Sequence, residues 1–259
     1  STPFGDPSDA IVIGSLEGQH IAFLPRHGRG HRISPTELPS QANIYALKSL
    51  GVEYIIAISA VGSLKEEIHP LDLVIPDQII DRTRSRPNTF FGRGLVAHAG
   101  FADPFCPKLR QLLYQSAQET GATVHPQGTY IVMEGPLFST KAESFLYRSW
   151  GASVIGMTAL PEAKLAREAE ICYATLACAT DYDCWHESHE TVTIDMVISN
   201  LQRNVDTAKK IIRSTVSRIS KERECGCSKA LENSIITATD LIPPQVKKDL
   251  EILIEKYVQ

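Results

Sequence analysis

The sequence has no long apolar run, no block of basic residues and no paired-cysteine metal pattern, and each absence removes a class of function. Its longest hydrophobic stretches, such as Tyr54–Val61, fall far short of the roughly 20 residues needed to cross a bilayer. No Lys/Arg cluster offers the positive surface that nucleic acid demands, and the net charge is −4. No signal-peptide pattern, internal repeat or low-complexity tract is visible. The cysteines are Cys106, Cys172, Cys178, Cys184, Cys225 and Cys227. None falls in the paired spacing of a zinc site, and a reduced, cytoplasmic protein is expected. Cys172 and Cys178 lie in an apolar strand and read as small buried hydrophobes. Cys225-Gly226-Cys227 sits in a polar stretch, and two readings stand: a pair of thiols that couple or react, or two incidental surface groups.

A chain of 259 residues with 43% hydrophobic and 22% charged residues suits one large α/β domain with a short appendage. Two strands, Ile11–Leu16 and His20–Leu24, flank a tight turn at Glu17-Gly18. Helical periodicity runs over Gln41–Leu50 and stops at Gly51. The continuous apolar run Glu53–Ala60 fits a strand buried on both faces. A short strand follows at Asp72–Pro76, a helix at Lys108–Gly121 and a strand at Thr123–Met133. Helices at Thr140–Trp150 and Pro161–Ala169 then alternate with strands at Ser153–Met157 and Ile171–Thr180. A long amphipathic helix covers Ile194–Ile219. Alternation of this kind implies a largely parallel sheet covered by helices. A boundary is expected near residue 221, dividing residues 1–220 from a tail, 221–259, that ends in a helix over Gln245–Tyr257.

Chemistry-bearing residues gather where strands end. Pro25-Arg26-His27-Gly28-Arg29-Gly30-His31 combines cations, imidazoles and glycines in an anion-binding composition, without the spacing of a Walker loop. His27 and His31 are four apart, but no third metal ligand is evident. Ser59-Ala60-Val61-Gly62-Ser63 closes a buried strand, the place where open α/β sheets bind ligands. Phe138, beside the Gly135-Pro136 turn, suits stacking on a flat base, or a place in the core. Asp181 and Asp183 are spaced to share a face at the end of Ile171–Thr180, where carboxylates are costly without partners. They suit a donor-rich ligand edge, or a helix cap. His186-Glu187-Ser188-His189 lacks protease-type zinc spacing and reads as a polar loop.

Seven segments agree in order and spacing with one family. Pro25–Arg29, Gln41-Ala42-Asn43-Ile44, Ala60-Val61-Gly62-Ser63-Leu64, Asp103-Pro104-Phe105-Cys106, Glu134-Gly135-Pro136, Gly156-Met157-Thr158 and Asp181-Tyr182-Asp183 resemble those of 5′-methylthioadenosine phosphorylases, members of the trimeric purine nucleoside phosphorylase superfamily. The resemblance runs from about Pro3 to about Ile219. It implies an α/β fold with a mixed, partly barrel-like central sheet surrounded by helices, assembled as a trimer. It places phosphate on Arg26, His27, Ser59, Ala60 and Thr158. Phe138 would lie against adenine and Met157 under the ribose, with Asp181 and Asp183 at N7 and N6 and Asp181 the catalytic acid. Ser139 and Ile194 would line the base and methylthio pockets, and His98 would reach a neighbouring subunit's site. Inorganic phosphate is then a co-substrate, and neither cofactor nor metal is called for. A 6-oxopurine nucleoside phosphorylase is the alternative within the class, and a non-catalytic nucleoside-binding homologue the alternative outside it. Family members begin with a strand and a Gly-Gly-[Thr/Ser]-Gly-Leu phosphate loop. This sequence starts after that point and is expected to be a fragment. Leu137 and Lys141 stand where Arg is common in the family.

Overall fold

The computed structural model describes residues 1–186, 194–220 and 222–258. The expected polar loop after His186 lies outside the described residues, as does residue 221 at the expected boundary. A hairpin of β1 (Val12–Leu16) and β2 (Gln19–Phe23) stands apart as a two-stranded sheet. Its turn residues Glu17 and Gly18 have φ of 50° and 77°, the two positive values that a type I′ hairpin turn needs.

The remaining elements follow in chain order: α1 (Ser40–Ser49), β3 (Tyr54–Ser63), β4 (Leu73–Val74), β5 (Gln78–Arg82), α2 (Pro107–Gln118), β6 (Val124–His125), β7 (Thr129–Met133), α3 (Lys141–Ser149), β8 (Val154–Gly156), α4 (Ala159–Glu168), β9 (Cys172–Asp181), α5 (Ile194–Arg218), α6 (Pro244–Asp249) and α7 (Glu251–Ile254). The strands form a mixed seven-stranded sheet in the order β5-β7-β8-β3-β9-β4-β6. Two helix ends show why glycine stands where it does. Gly51 and Gly151 have φ of 76° and 79°, and Val52 and Ala152 donate back to the carbonyls of Leu47 and Tyr147. That is the Schellman stop, which needs a left-handed residue just past the helix.

Three details differ from the sequence reading. The strand expected over Thr123–Met133 is two strands, β6 and β7, because Pro126 has no N–H to donate to a ladder. The final helix is broken into α6 and α7 at Leu250. Strand β5 went unanticipated, and it pairs in parallel with β7 along the edge of the sheet.

β9 is buried at every one of its 10 positions, as a strand covered on both faces must be. Its residues divide by alternation. Tyr173, Ala177 and Ala179 face a core shared with Ile44, Leu165 and Phe105. Cys172, Ala174, Leu176 and Cys178 face Leu109 and Leu113 of α2 and Ile211 of α5. The segment after residue 221 adds Leu231, Ile242, Val246, Leu250, Leu253 and Ile254 to the first of these cores. Its residue Ile235 also bridges Ala97, and His98 N–H donates to the Ser234 carbonyl.

Leu250 is fully buried, so Leu250→Ala should cost about 2–5 kcal/mol through lost transfer and an unfilled cavity. Urea unfolding followed by far-ultraviolet dichroism and by tryptophan fluorescence should give one coincident transition in the wild type. Two separate transitions would show that the C-terminal segment does not share this core cooperatively.

Candidate active site

The site is assembled along β3. Arg26, just past β2, turns its guanidinium onto Glu162 of α4, with Nε donating to Oε1 at 2.5 Å and Nη2 to Oε2 at 3.1 Å. Nη1 donates to the Ile58 carbonyl at 3.2 Å. These bonds use three of the five guanidinium N–H donors, leaving two among the described contacts. Glu162 also accepts from the Tyr173 hydroxyl at 2.9 Å. Burial works against the Arg26 charge, but Glu162 outweighs it and holds the group above its ordinary pKa. Sequence reading missed Glu162, whose only visible signal was a carboxylate in the first turn of an apolar helix.

His27 joins its Nδ1 to the Ile33 carbonyl at 2.8 Å, which places the proton on Nδ1 and leaves Nε2 as the free nitrogen. Burial keeps this imidazole below its ordinary pKa against the pull of the Ile33 carbonyl, and His31 and Arg26 lower it further. The His27 and His31 rings stack with centroids 4.1 Å apart, a face-to-face arrangement rather than two nitrogens turned on one ion.

Next along β3, Ser59 Oγ lies 3.0 Å from Thr158 Oγ1, beyond β8. Ala60 is half-buried. The Tyr130 hydroxyl is buried near this pair and has no hydrogen-bond partner among the described residues. Burial pushes it up to about 12, partly offset by Arg26. An unpaired buried hydroxyl costs about 1–3 kcal/mol, and Gly156 is required beside it, since a Cβ there would sit 2.4 Å from that oxygen.

The carboxylates follow from a register change. Val61 pairs with Ala179, but Gly62 pairs with Asp181, so Thr180 is an extra residue in β9. Val61 and Gly62 face opposite sides, so their partners Ala179 and Asp181 do too, although they are two residues apart. Gly62 leaves room for this carboxylate, because a Cβ there would lie 3.0 Å from Asp181 Oδ1. Asp181 accepts from the Thr180 hydroxyl at 2.7 Å and from the Asp183 N–H at 2.8 Å. Asp183 lies beyond the strand at φ 52°, and both its oxygens sit 2.8 Å from Ser139 Oγ. A left-handed turn, not strand alternation, therefore brings the two carboxyl groups together. Burial raises both pKa values against the hydrogen bonds that oppose it.

Arg86, also missed, clamps the loops after β7 and β8. Its guanidinium donates to the carbonyls of Met157, Leu160, Met133 and Glu134 and to the Glu134 carboxylate. Met157 packs against Gly135, where any Cβ would collide with its sulfur at 2.4 Å. Phe138 follows in the same loop and is 47% exposed, so the alternative of a core place does not hold. Ile194, the first residue of α5, is also exposed. His98 lies elsewhere, lining an open pocket of about 410 Å³ with Phe91, Phe101, Lys164, Arg167 and Glu168.

The model of the phosphorylase superfamily matches residues 1–217. S-methyl-5′-thioadenosine phosphorylase of Geobacter sulfurreducens is 61% identical over 258 residues, 99% of this chain and 90% of that protein. This chain belongs to the S-methyl-5′-thioadenosine phosphorylase family. The crystal structure of a methylthioadenosine phosphorylase from an antarctic soil metagenomic library superposes with a TM-score of 0.93 at 49% identity, covering 98% of this chain and 90% of that one. The Schistosoma mansoni methylthioadenosine phosphorylase in complex with adenine gives 0.85 at 34% identity, covering 98% and 89%.

The raised carboxyl pKa values set a pH dependence. A folded-state pKa above the unfolded one means that the fold binds more protons in the window between them, so the contribution of Asp181 and Asp183 to stability falls as pH rises through that window. Asp181→Asn should remove its part of this slope. Urea titrations of wild type and variant from pH 4 upward, a range chosen around the ordinary carboxyl value, should show the variant gaining on wild type as pH rises. A constant difference across the series would contradict the raised pKa.

Proposed function

We propose that this chain catalyses phosphorolysis of 5′-methylthioadenosine, giving adenine and 5-methylthioribose-1-phosphate for methionine salvage. The observation that carries the reading is the succession along β3: Arg26 bound to the Ile58 carbonyl, Ser59 against Thr158, and Gly62 beneath Asp181. At about 3.3 Å per strand residue, Ser59 and Gly62 stand about 10 Å apart.

In this reading Arg26, His27, Ser59, Ala60 and Thr158 hold phosphate. Glu162 aims the two uncommitted Arg26 donors, and the unpaired Tyr130 hydroxyl offers a further one nearby. His27 Nε2, free of its proton when neutral, suits the hydroxyl of a monoprotonated phosphate. Met157 lies under the ribose and Phe138 against adenine. As the C1′–N9 bond breaks, positive charge grows at C1′ and phosphate beneath stabilises it, then forms the new C–O bond. The departing adenine takes a proton at N7 from Asp181, whose raised pKa favours the protonated form this needs. Asp183, steadied by Ser139, accepts from the N6 amino group. No electrons change hands, so the chemistry calls for no redox cofactor. Ile194 lines the methylthio pocket, and apolar walls there favour a methylthio group over a hydroxyl only modestly. His98 serves the site of a neighbouring subunit in a cytoplasmic homotrimer. The chemistry belongs to residues 1–220, with 221–259 as an appendage that braces the His98 loop through Ser234 and Ile235.

Initial rates with methylthioadenosine, adenosine and inosine, with and without phosphate, test the reaction. Turnover of methylthioadenosine should depend strictly on phosphate and exceed that of inosine. Asp181→Ala should lower kcat about 10²–10⁴-fold with unchanged circular dichroism. Arg26→Ala should raise the phosphate KM far more than the nucleoside KM, with only partial recovery in Arg26→Lys, since an ammonium cannot reproduce the planar fork. An unchanged phosphate KM in Arg26→Ala removes phosphate from this loop. Preference for inosine overturns the substrate.

A further inference from the structure

Four of the six cysteines meet at the end of the sheet opposite the carboxylates. Cys106 caps the N-terminus of α2, Cys172 opens β9, and Cys225 and Cys227 flank a single glycine in the C-terminal segment. Their sulfurs all lie within 4.8 Å of one another, with Cys172 and Cys225 3.3 Å apart. Cys106, Cys172 and Cys227 are buried, and Cys225 is partly so. The surface-thiol reading of Cys225 and Cys227 therefore fails. No local spacing reveals the group, because its members come from three separate segments.

The backbone under each sulfur is fixed. Cys106 N–H donates to the Tyr173 carbonyl and Cys172 N–H to that of Glu53. Ala230 N–H donates to the Cys227 carbonyl, closing the turn after the pair. Four thiols drawn together inside an apolar core gain little from one another, since S–H is a weak donor and sulfur a weak acceptor. Disulfides would satisfy them two at a time and need no common centre. A tetrahedral zinc ion bound by four thiolates at about 2.3 Å requires sulfur separations of about 3.8 Å in all six pairs. The observed range brackets that value. Cys178, on the same face of β9, is buried without joining the group.

We propose that Cys106, Cys172, Cys225 and Cys227 form a structural zinc site. Binding releases the thiol protons to solvent and makes four S–Zn bonds with no change in oxidation state. With no ligand position left open, the site is closed, as structural zinc sites are. The α2 N-terminus adds its favourable dipole to the Cys106 thiolate. The ion would pin the C-terminal segment to α2 and β9. Asp181 lies nine residues from Cys172 along β9, about 30 Å at 3.3 Å per residue. The proposal therefore stands independently of the proposed reaction.

The test is metal analysis of the untagged full-length protein, purified without chelator. One zinc per chain is expected. The double variant C225S/C227S should lose at least ten-fold in zinc content, whereas Cys178→Ala should keep it. Because the double variant can fail to fold, wild-type protein stripped under reducing conditions and reloaded with cobalt(II) provides a second reading. It should show sulfur-to-cobalt charge transfer and the strong visible bands of a tetrahedral thiolate site. Zinc-free protein that takes up no cobalt, an intact mass showing two disulfides, or iron in place of zinc would each overturn the assignment.

Discussion

The pairing of β3 with β9 is the constraint on which the rest of the structure depends. The two strands run parallel at the centre of the sheet, in register from Tyr54↔Cys172 to Val61↔Ala179. β9 is buried along its whole length. Such a pair takes the protein's largest continuous apolar runs out of water and so fixes where everything else packs. The extra residue Thr180 then turns Asp181 across Gly62. Asn200 of α5 donates to the Thr180 carbonyl at 2.7 Å, giving the displaced backbone group a partner. A regular ladder would have left Asp181 on the same face as Ala179.

Charge in the site is managed by pairing before any ligand enters. Arg26 is held by Glu162, and Glu162 by Tyr173. Arg86 spends its donors on four carbonyls and Glu134, and Glu134 also accepts from Thr36. Truncating one member of such a buried pair leaves the other charge uncompensated, at a cost of about 3–5 kcal/mol. Asp181 and Asp183 lack a cationic partner among the described contacts. They are held by hydroxyls and a backbone N–H instead. That difference in partners explains the raised carboxyl pKa values beside an arginine held firmly charged. The C-terminal segment contributes at two places: its leucines and isoleucines complete one core, and its cysteines meet Cys106 and Cys172 against the other.

Composition and apolar periodicity determined the α/β class and most elements to within a residue or two, and the resemblance of the strand-end motifs pointed to the family. The helix expected over Ile194–Ile219 is α5 at Ile194–Arg218, and the strand expected over Ile171–Thr180 is β9 at Cys172–Asp181. These features are local, written in spacings of two and three to four residues, which is why a single sequence can display them. What only the tertiary structure decided is long-range. Arg26 and Glu162 are 136 residues apart, and no periodicity links them. The bulge at Thr180 depends on Gly62 of another strand, and the meeting of Asp181 with Asp183 on a left-handed turn. Four cysteines from three segments converge only once β9, α2 and the C-terminal segment have packed, because burial of their apolar neighbours, not the spacing of the cysteines, brings the sulfurs together.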